Sequence, residues 1–156
     1  MNWQGQLCEL NYDHQEGRAV DRIMKSQWLT MGEECHEFEK EFTEFIGHAQ
    51  TGVFVSSATA ALHLILMALN ITKGDEVIIP GLTFVSDANT VLQLGAKPIL
   101  ADSKSLIDFN VCAESIISQI TPKTKAVIIV HFAGYPMNLT NLLEVCAAQN
   151  ISVIED

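Results

Sequence analysis

Small and hydroxyl-bearing residues follow Val55 in the order Ser56-Ser57-Ala58-Thr59. If these residues begin a helix, the first N–H groups have no partner within the helix, and the helix dipole favours negative charge beside them. Small side chains let an anion approach that backbone, and the hydroxyls of Ser57 and Thr59 add donors. Ser57 also suits a plain helix N-cap, which is the commoner role of such a serine. The segment is neither a Walker A loop nor a G-x-G-x-x-G, so those nucleotide-binding motifs are not supported.

Three further side chains that could do chemistry each follow a short apolar segment: Phe84, His131 and Asp156. In such a place an aromatic ring could stack on a planar ligand, and a carboxylate could pair with a cation. His131 could contact the same ligand. The structural alternatives are a phenylalanine packed in the core and an aspartate that caps the next helix. The residue types by themselves leave these alternatives open.

The elements that must position these residues follow from the apolar pattern. Five segments rich in Val and Ile lack polar alternation and predict strands buried on both faces: Val53 to Val55, Glu76 to Ile79, Pro98 to Ala101, Ala126 to Val130 and Ile151 to Ile154. Helical spacings separate them, in Leu62 to Leu69, Val85 to Leu92, Ala113 to Ile120 and Leu139 to Cys146. This alternation predicts an α/β fold with three layers, a mostly parallel sheet and helices on both faces. Ligands in such folds bind at the carboxyl ends of the strands, where the residues named above lie.

The first fifty residues show a different pattern. A charged helix is expected from about Gln15 to Lys25, followed by a helix that places Phe38, Phe42 and Phe45 on one face and glutamates on the other. We interpret the second helix as a packing element with a solvated acidic face. The expected organisation is an N-terminal helical segment over residues 1–27 and an incomplete large domain over residues 28–156.

Composition excludes several classes of function. Nine basic and nineteen acidic side chains give a net charge of −10, which argues against nucleic acid or an anionic membrane surface as the main partner. No stretch of 18 apolar residues or secretory signal is present. The four cysteines show no metal-ligand spacing, so we expect reduced thiols, no metal site and a cytoplasmic location.

Six short motifs occur in an order that resembles the DegT/DnrJ/EryC1/StrS family of PLP-dependent sugar aminotransferases. They are S-x-T-A-A-L, G-D-E-V-I-x-P-x-x-T-F, L-G-A-K-P, I-T-P-K-T-K-A, V-H-x-x-G-x-P and V-I-E-D. The resemblance spans about Trp28 to Asp156 and implies the large domain of PLP-dependent fold type I. Within the family, the segments 57–62, 66–69 and 131–134 are similar to the branch that makes UDP-4-amino-4-deoxy-L-arabinose.

The resemblance implies a role for individual residues toward pyridoxal 5'-phosphate. Ala58 and Thr59 occupy the turn that holds the phosphate, Phe84 stands where an aromatic ring stacks on the pyridine, and Asp156 matches the carboxylate that pairs with the protonated ring nitrogen. Ser57 and His131 are further candidates for contact. Many relatives have glycine where this chain has Ala58, but the added methyl does not remove the N–H donors. The resemblance also implies a nucleotide-linked keto sugar as substrate, glutamate as amino donor and a homodimer.

The family's cofactor-binding lysine is expected in a later segment, because none of the seven lysines of this chain aligns with it. We therefore expect the chain to be an N-terminal portion, without the rest of the large domain or the small domain, and inactive by itself. Two alternatives to aminotransfer remain: a PLP- or PMP-dependent sugar dehydratase of the same family, and a non-catalytic binding module that retains the fold.

Overall fold

The computed structural model describes residues 10–47 and 51–156, and the chain divides into two compact units, Met1–Phe54 and Val55–Asp156. The first unit contains α1 (His14–Ser26) and α2 (Glu33–Phe45), close to the two helices that the sequence predicts. The capping box that begins α1 is complete, since Asp13 accepts from the Gln15 N–H and Glu16 accepts from the Asp13 N–H. The expected division at residue 27 stays a prediction.

The second unit is built around four parallel strands in the order β2-β1-β3-β4. Its elements in chain order are α3 (Ala58–Ala68), β1 (Glu76–Pro80), α4 (Ser86–Gln93), β2 (Lys97–Ala101), α5 (Ala113–Ser118), β3 (Thr124–Ile129), α6 (Thr140–Ala148) and β4 (Ser152–Glu155). All five residues of β1 are buried, as expected for an apolar strand with neighbours on both sides.

Helices cover both faces of this sheet. On one face, Leu66 of α3 and Val91 of α4 pack with Val77 and Ile79 of β1. On the other face, Ile78 of β1 packs in a second cluster with residues of α5 and α6. Alternate residues of one strand thus enter different clusters. This arrangement confirms the predicted three-layer α/β fold. Within the described residues, no helix is both long enough and apolar enough to cross a membrane.

The predicted strand at Val53 to Val55 is wrong. The structure assigns no regular element to these residues, and Val53 is 75% exposed. The N–H of Phe54 donates to the Glu39 carboxylate at 2.7 Å instead of to a neighbouring strand. An apolar triplet is too short to specify a strand, because a strand also needs a partner for its backbone.

The helix predicted over Val85 to Leu92 is present as α4, and Ala88 packs on the core, but Val85 and Leu92 do not belong to the buried face. Val85 and Leu92 are 58% and 56% exposed. The helix instead buries Val91 together with the polar residues Ser86, Asp87 and Thr90. Burial of Thr90 is tolerated because its hydroxyl donates to the Ser86 carbonyl oxygen at 2.9 Å. Local hydrogen bonds of this kind satisfy polar groups that a hydropathy pattern assigns to the surface.

Candidate functional site

The carboxyl ends of the strands gather the predicted site residues at one edge of the sheet. Phe84 lies in the turn after β1, His131 follows β3, and Asp156 follows β4. The Asp156 N–H continues the sheet by donating to the Ile129 carbonyl oxygen at 2.9 Å. This bond fixes the backbone that carries the Asp156 carboxylate, which is itself exposed.

The first turn of α3 lies towards the same edge. Asn70 adopts a left-handed conformation after the helix, with φ of 56°, and the chain then turns back into β1. Because α3 packs on the face of β1 that carries Val77 and Ile79 and is joined to that strand by the short segment between Ala68 and Glu76, the helix runs antiparallel to the strand. Its beginning therefore faces the carboxyl ends of the strands, where ligands of open α/β sheets bind.

Two N–H groups at the start of α3 are available to an anion. The Ser57 hydroxyl accepts from the Ala60 N–H at 3.1 Å, and the Ser57 carbonyl accepts from the Ala61 N–H at 3.0 Å. Among the described residues, the N–H groups of Ala58 and Thr59 have no acceptor. No acidic side chain lies in this first turn. An 11-residue helix with free N–H groups and small side chains offers a binding site for a phosphate or carboxylate.

Ser57 is the N-cap of α3, so the structural role considered for it is present. Its hydroxyl uses one lone pair in the cap, and its proton remains available as a donor. Capping and contact with an anion are therefore compatible, and the second role stays a prediction.

Phe84 is 72% exposed, so a ligand can reach its ring. It is not packed in the core, which was the structural alternative for this residue. Its carbonyl oxygen accepts from the Asp87 N–H at 3.3 Å, which ties the turn to the beginning of α4. The ring is placed to stack on a planar group at the edge of the sheet.

The imidazole of His131 is held at both nitrogens. The Met137 N–H donates to Nδ1 at 3.2 Å, so a neutral ring carries its proton on Nε2, which lies 3.0 Å from a carboxylate oxygen of Glu155. The ring links the end of β3 to the end of β4, next to Asp156. This geometry gives His131 a structural role, and its contact with a ligand stays a prediction.

Asn110 is a positioning residue that the sequence did not indicate. Its side-chain oxygen accepts from the Phe132 N–H at 2.9 Å, and its amide group donates to the Tyr135 carbonyl at 3.1 Å. It thereby holds the turn after His131, in which Ala133 has a φ of 53°. An asparagine before a helical pattern is too common a feature to single out from sequence.

Asp87 is the second residue that sequence reasoning missed. Its side chain is fully buried, and one carboxylate oxygen accepts from the Thr83 hydroxyl at 2.5 Å. The other oxygen, Oδ1, has no partner within the part of the chain that the structure describes. Burial is the main reason that the pKa of Asp87 is raised, the Thr83 hydrogen bond opposes this effect, and the charge of Asp156 adds to it. The Thr83–Asp87 spacing of four residues was the available clue.

A separate open cavity of about 400 Å³ lies beside α5 and α6. Its lining includes Lys104, Cys112, Asn138 and Glu144, and it contains none of the predicted site residues. Its mixed, partly acidic lining does not match the anion and aromatic features described above.

The residues at the carboxyl edge fit one kind of ligand in three respects. The start of α3 can bind an anion, Phe84 can stack on a planar ring, and Asp156 can pair with a cationic group. The unpartnered oxygen of Asp87 adds a buried polar atom at the same edge. Pyridoxal phosphate combines a phosphate, a planar ring and a ring nitrogen that can be protonated.

Known proteins of one family resemble this chain in sequence and in structure. The sequence profile of the DegT/DnrJ/EryC1/StrS aminotransferase family matches residues 11–156. The aminotransferase from Psychrobacter cryohalolentis superposes with a TM-score of 0.86 at 34% identity, covering 94% of this chain and 37% of that one.

Two other solved structures are similar over nearly the whole chain. The PLP form of Spr1654 from Streptococcus pneumoniae, a candidate sugar aminotransferase, has a TM-score of 0.85 at 28% identity, covering 94% of this chain and 41% of that one. GDP-4-keto-6-deoxymannose-3-dehydratase, with a trapped PLP-glutamate geminal diamine, has a TM-score of 0.86 at 27% identity. The match covers 96% of this chain and 40% of that one. The chain thus spans about two fifths of the length of these structures, and its sheet and helices confirm the fold-type-I architecture.

Proposed function

Because the chain belongs to the DegT/DnrJ/EryC1/StrS aminotransferase family, we propose that it forms the phosphate- and ring-binding part of a pyridoxal-phosphate site in a sugar aminotransferase. The observation that carries the proposal is the pair of N–H groups at Ala58 and Thr59, which have no acceptor in the part of the chain that the structure describes, at the edge of the sheet where Phe84 is exposed. The PLP form of a structural neighbour supports the choice of cofactor.

Each residue has a defined task toward the cofactor. When bound, pyridoxal phosphate supplies the electron sink that amino-group transfer requires. The N–H groups of Ala58 and Thr59, with the Thr59 hydroxyl, hold the phosphate. Phe84 covers one face of the ring and excludes water from it. Asp156 keeps a proton on the ring nitrogen through a charge-assisted hydrogen bond.

The substrate class follows from the family and from the neighbours' names. The proposed acceptor is a nucleotide-linked keto sugar, and the proposed amino donor is glutamate. The proposed oligomeric state is a homodimer, located in the cytoplasm. The sugar aminotransferase and the GDP-keto-sugar dehydratase among the neighbours support the sugar class. The motifs at residues 57–62 and 131–134 support the branch that makes UDP-4-amino-4-deoxy-L-arabinose as the finer assignment.

Sugar dehydration is the second candidate function. The dehydratase matches this chain with the same TM-score as the Psychrobacter aminotransferase, so the fold of these residues serves both reactions. The resemblance implies that the family's cofactor-binding lysine lies in a later segment than the seven lysines of this chain. We therefore propose that the 156-residue chain binds the cofactor without a covalent bond and does not catalyse turnover by itself.

Calorimetric titration of the chain with three ligands tests this proposal. Pyridoxal phosphate and pyridoxamine phosphate should bind with similar affinity, since neither forms a bond to lysine, and pyridoxal should bind more weakly because it lacks the phosphate. After borohydride reduction, mass spectrometry should find no stoichiometric adduct. A single modified lysine together with amino transfer would refute the non-covalent assignment, and equal affinity for pyridoxal would refute the phosphate site.

A further inference from the structure

His131 and Glu155 form a polar bridge across the ends of β3 and β4. His131 Nε2 lies 3.0 Å from a carboxylate oxygen of Glu155, and the Met137 N–H donates to His131 Nδ1 at 3.2 Å. The His131 side chain is 26% exposed, and that of Glu155 is 57% exposed. Because both ring nitrogens are engaged, the imidazole cannot rotate without losing a hydrogen bond. The bridge therefore restrains the Glu155 side chain.

The turn that follows β3 gives this bridge a fixed point. Buried Asn110 accepts from the Phe132 N–H at 2.9 Å and donates to the Tyr135 carbonyl at 3.1 Å. Two residues later, Met137 packs on the apolar cluster between the sheet and the helices α5 and α6. His131 therefore lies at the beginning of a turn that hydrogen bonds and packing hold in place.

Side chains alternate along β4, and this alternation separates Glu155 from Asp156. Val153 packs on the cluster that faces α5 and α6, and Ile154 lies in the cluster that faces α3 and α4. Glu155 is therefore on the side of α5 and α6, and Asp156 is on the side of α3, where the proposed phosphate site lies. An effect of His131 on Asp156 must then pass through the backbone that joins Glu155 to Asp156.

The backbone at Asp156 lies at the end of a strand, where pairing is weakest. Its N–H donates to the Ile129 carbonyl oxygen at 2.9 Å, and within the described residues β4 pairs with β3 alone. Hydrogen bonds at the ends of elements open more easily than those in the centre. Ile129 faces Glu155 in the register of the two strands, so the bridge from His131 lies beside this last bond. A side-chain contact across two strands stabilises their pairing.

We propose that His131 and Glu155 are positioning residues for Asp156: their bridge holds the end of β4 on β3 and thereby restricts the direction of the Asp156 carboxylate. The inference rests on the proposed function, in which Asp156 pairs with the protonated ring nitrogen of the cofactor. It has two alternatives. In the first, His131 contacts the ligand directly, and in the second, the bridge stabilises the sheet as a whole without a specific effect on Asp156.

Amide hydrogen exchange in the cofactor-free chain tests the restraint on the backbone. His131→Phe keeps a planar ring but removes both hydrogen bonds, so the Asp156 amide should exchange roughly threefold faster than in the wild type. Ile154, two positions earlier on β4, is the internal reference and should keep its rate. Equal acceleration of both amides would show that His131 only stabilises the sheet as a whole, and an unchanged Asp156 amide would show no restraint. Either result would overturn the proposal.

Calorimetric titration with three ligands that form no bond to lysine tests the effect on the site. They are pyridoxamine phosphate, its analogue with C–H in place of the ring nitrogen, and pyridoxamine. The preference for pyridoxamine phosphate over the C–H analogue measures the contact with the ring nitrogen, and the preference over pyridoxamine measures the phosphate contact. His131→Phe and Glu155→Leu should each reduce the first preference roughly threefold and leave the second unchanged.

Two further glutamate variants serve as controls. Glu155→Gln keeps a side-chain oxygen that accepts from the imidazole, so it should retain the wild-type preference for the ring nitrogen. Glu144→Leu makes the matched change at an exposed glutamate of α6 and should alter neither preference. A loss in the His131 variant without one in Glu155→Leu would indicate direct contact between His131 and the ligand and would overturn the proposal. An equal loss in Glu155→Gln and Glu155→Leu would also overturn it.

Hydrogen exchange is measured without the cofactor, so the two proposals can fail separately. If the wild type binds pyridoxamine phosphate and the C–H analogue equally, the pairing of Asp156 with the ring nitrogen fails, and the exchange rates decide by themselves whether the bridge holds the end of β4. If the wild type prefers pyridoxamine phosphate and the variants keep that preference, the positioning role of His131 and Glu155 is overturned and the cofactor site stands.

Discussion

Ala58→Pro removes one donor from the proposed phosphate site without breaking the helix. Ala58 is the first residue of α3, the position at which proline is well tolerated because its N–H has no partner within the helix. The preceding residue, Ser57, has φ of −167° and ψ of 159°, in the extended region that a residue before proline prefers. The free energy of unfolding should therefore change by less than about 1 kcal/mol.

The expected loss of affinity follows from the same contacts. The substitution removes one of the two backbone donors, Ala58 and Thr59, that have no acceptor among the described residues. A hydrogen bond to a charged group contributes about 1.5–3 kcal/mol, and because both residues are exposed we expect the lower end of that range. The dissociation constant for pyridoxal phosphate should rise roughly tenfold.

The assay compares pyridoxal phosphate with pyridoxal in calorimetric titrations of the wild type and the variant. Affinity for pyridoxal should not change, since the lost donor serves the phosphate alone. Glu33→Pro is the matched control, because Glu33 is the first residue of α2 and follows Gly32 in an extended conformation. An equal loss for both ligands, or no loss for pyridoxal phosphate in a folded variant, would refute this assignment of the phosphate site.

Three other substitutions test the remaining contacts. Phe84→Ala should weaken pyridoxal and pyridoxal phosphate binding alike, by about 0.5–1.5 kcal/mol beyond the lost contact area, and unchanged titrations would exclude stacking. In an aminotransferase that contains these residues, the Asp156→Asn variant should retain much of its cofactor. Its amino-transfer half-reaction, followed by stopped-flow absorbance, should be slower by several orders of magnitude. A rate near that of the wild type would indicate that Asp156 only caps the next helix. Burial raises the pKa of Asp87 in the folded chain above its value in the unfolded chain, which is near 3.8. The contribution of Asp87 to the free energy of unfolding is therefore fully present below pH 3.8, and it is lost as the pH rises through the pKa of the folded chain. In Asp87→Asn, the free energy of unfolding measured in urea should therefore decrease less with rising pH over that range than in the wild type. The same pH dependence in both proteins would contradict the raised pKa of Asp87.

The sequence predicts the sheet well because β1, β3 and β4 each contain a short apolar segment, and these segments are separated by helical spacings. It also places Ala58, Thr59, Phe84 and Asp156 at strand and helix ends, where the structure has them. The strand predicted at Val53 to Val55 was wrong, because three apolar residues do not specify a partner strand.

Asp87 and Asn110 could not be predicted, because their positions depend on tertiary contacts. Hydropathy assigns Asp87 to the surface of α4, yet the Thr83 hydroxyl makes its burial tolerable. Asn110 bonds to the backbone of residues 132 and 135, more than twenty positions away in the chain. Such long-range hydrogen bonds leave no periodic pattern in a single sequence.

The most direct test of the central claim is an amide NMR titration of the isotopically labelled chain with pyridoxal phosphate. The account predicts that the amide resonances of Ala58 and Thr59 shift at saturation, and that pyridoxal leaves them near their starting positions. Shifts confined to other residues, such as those lining the cavity beside α5 and α6, with Ala58 and Thr59 unchanged, would contradict it.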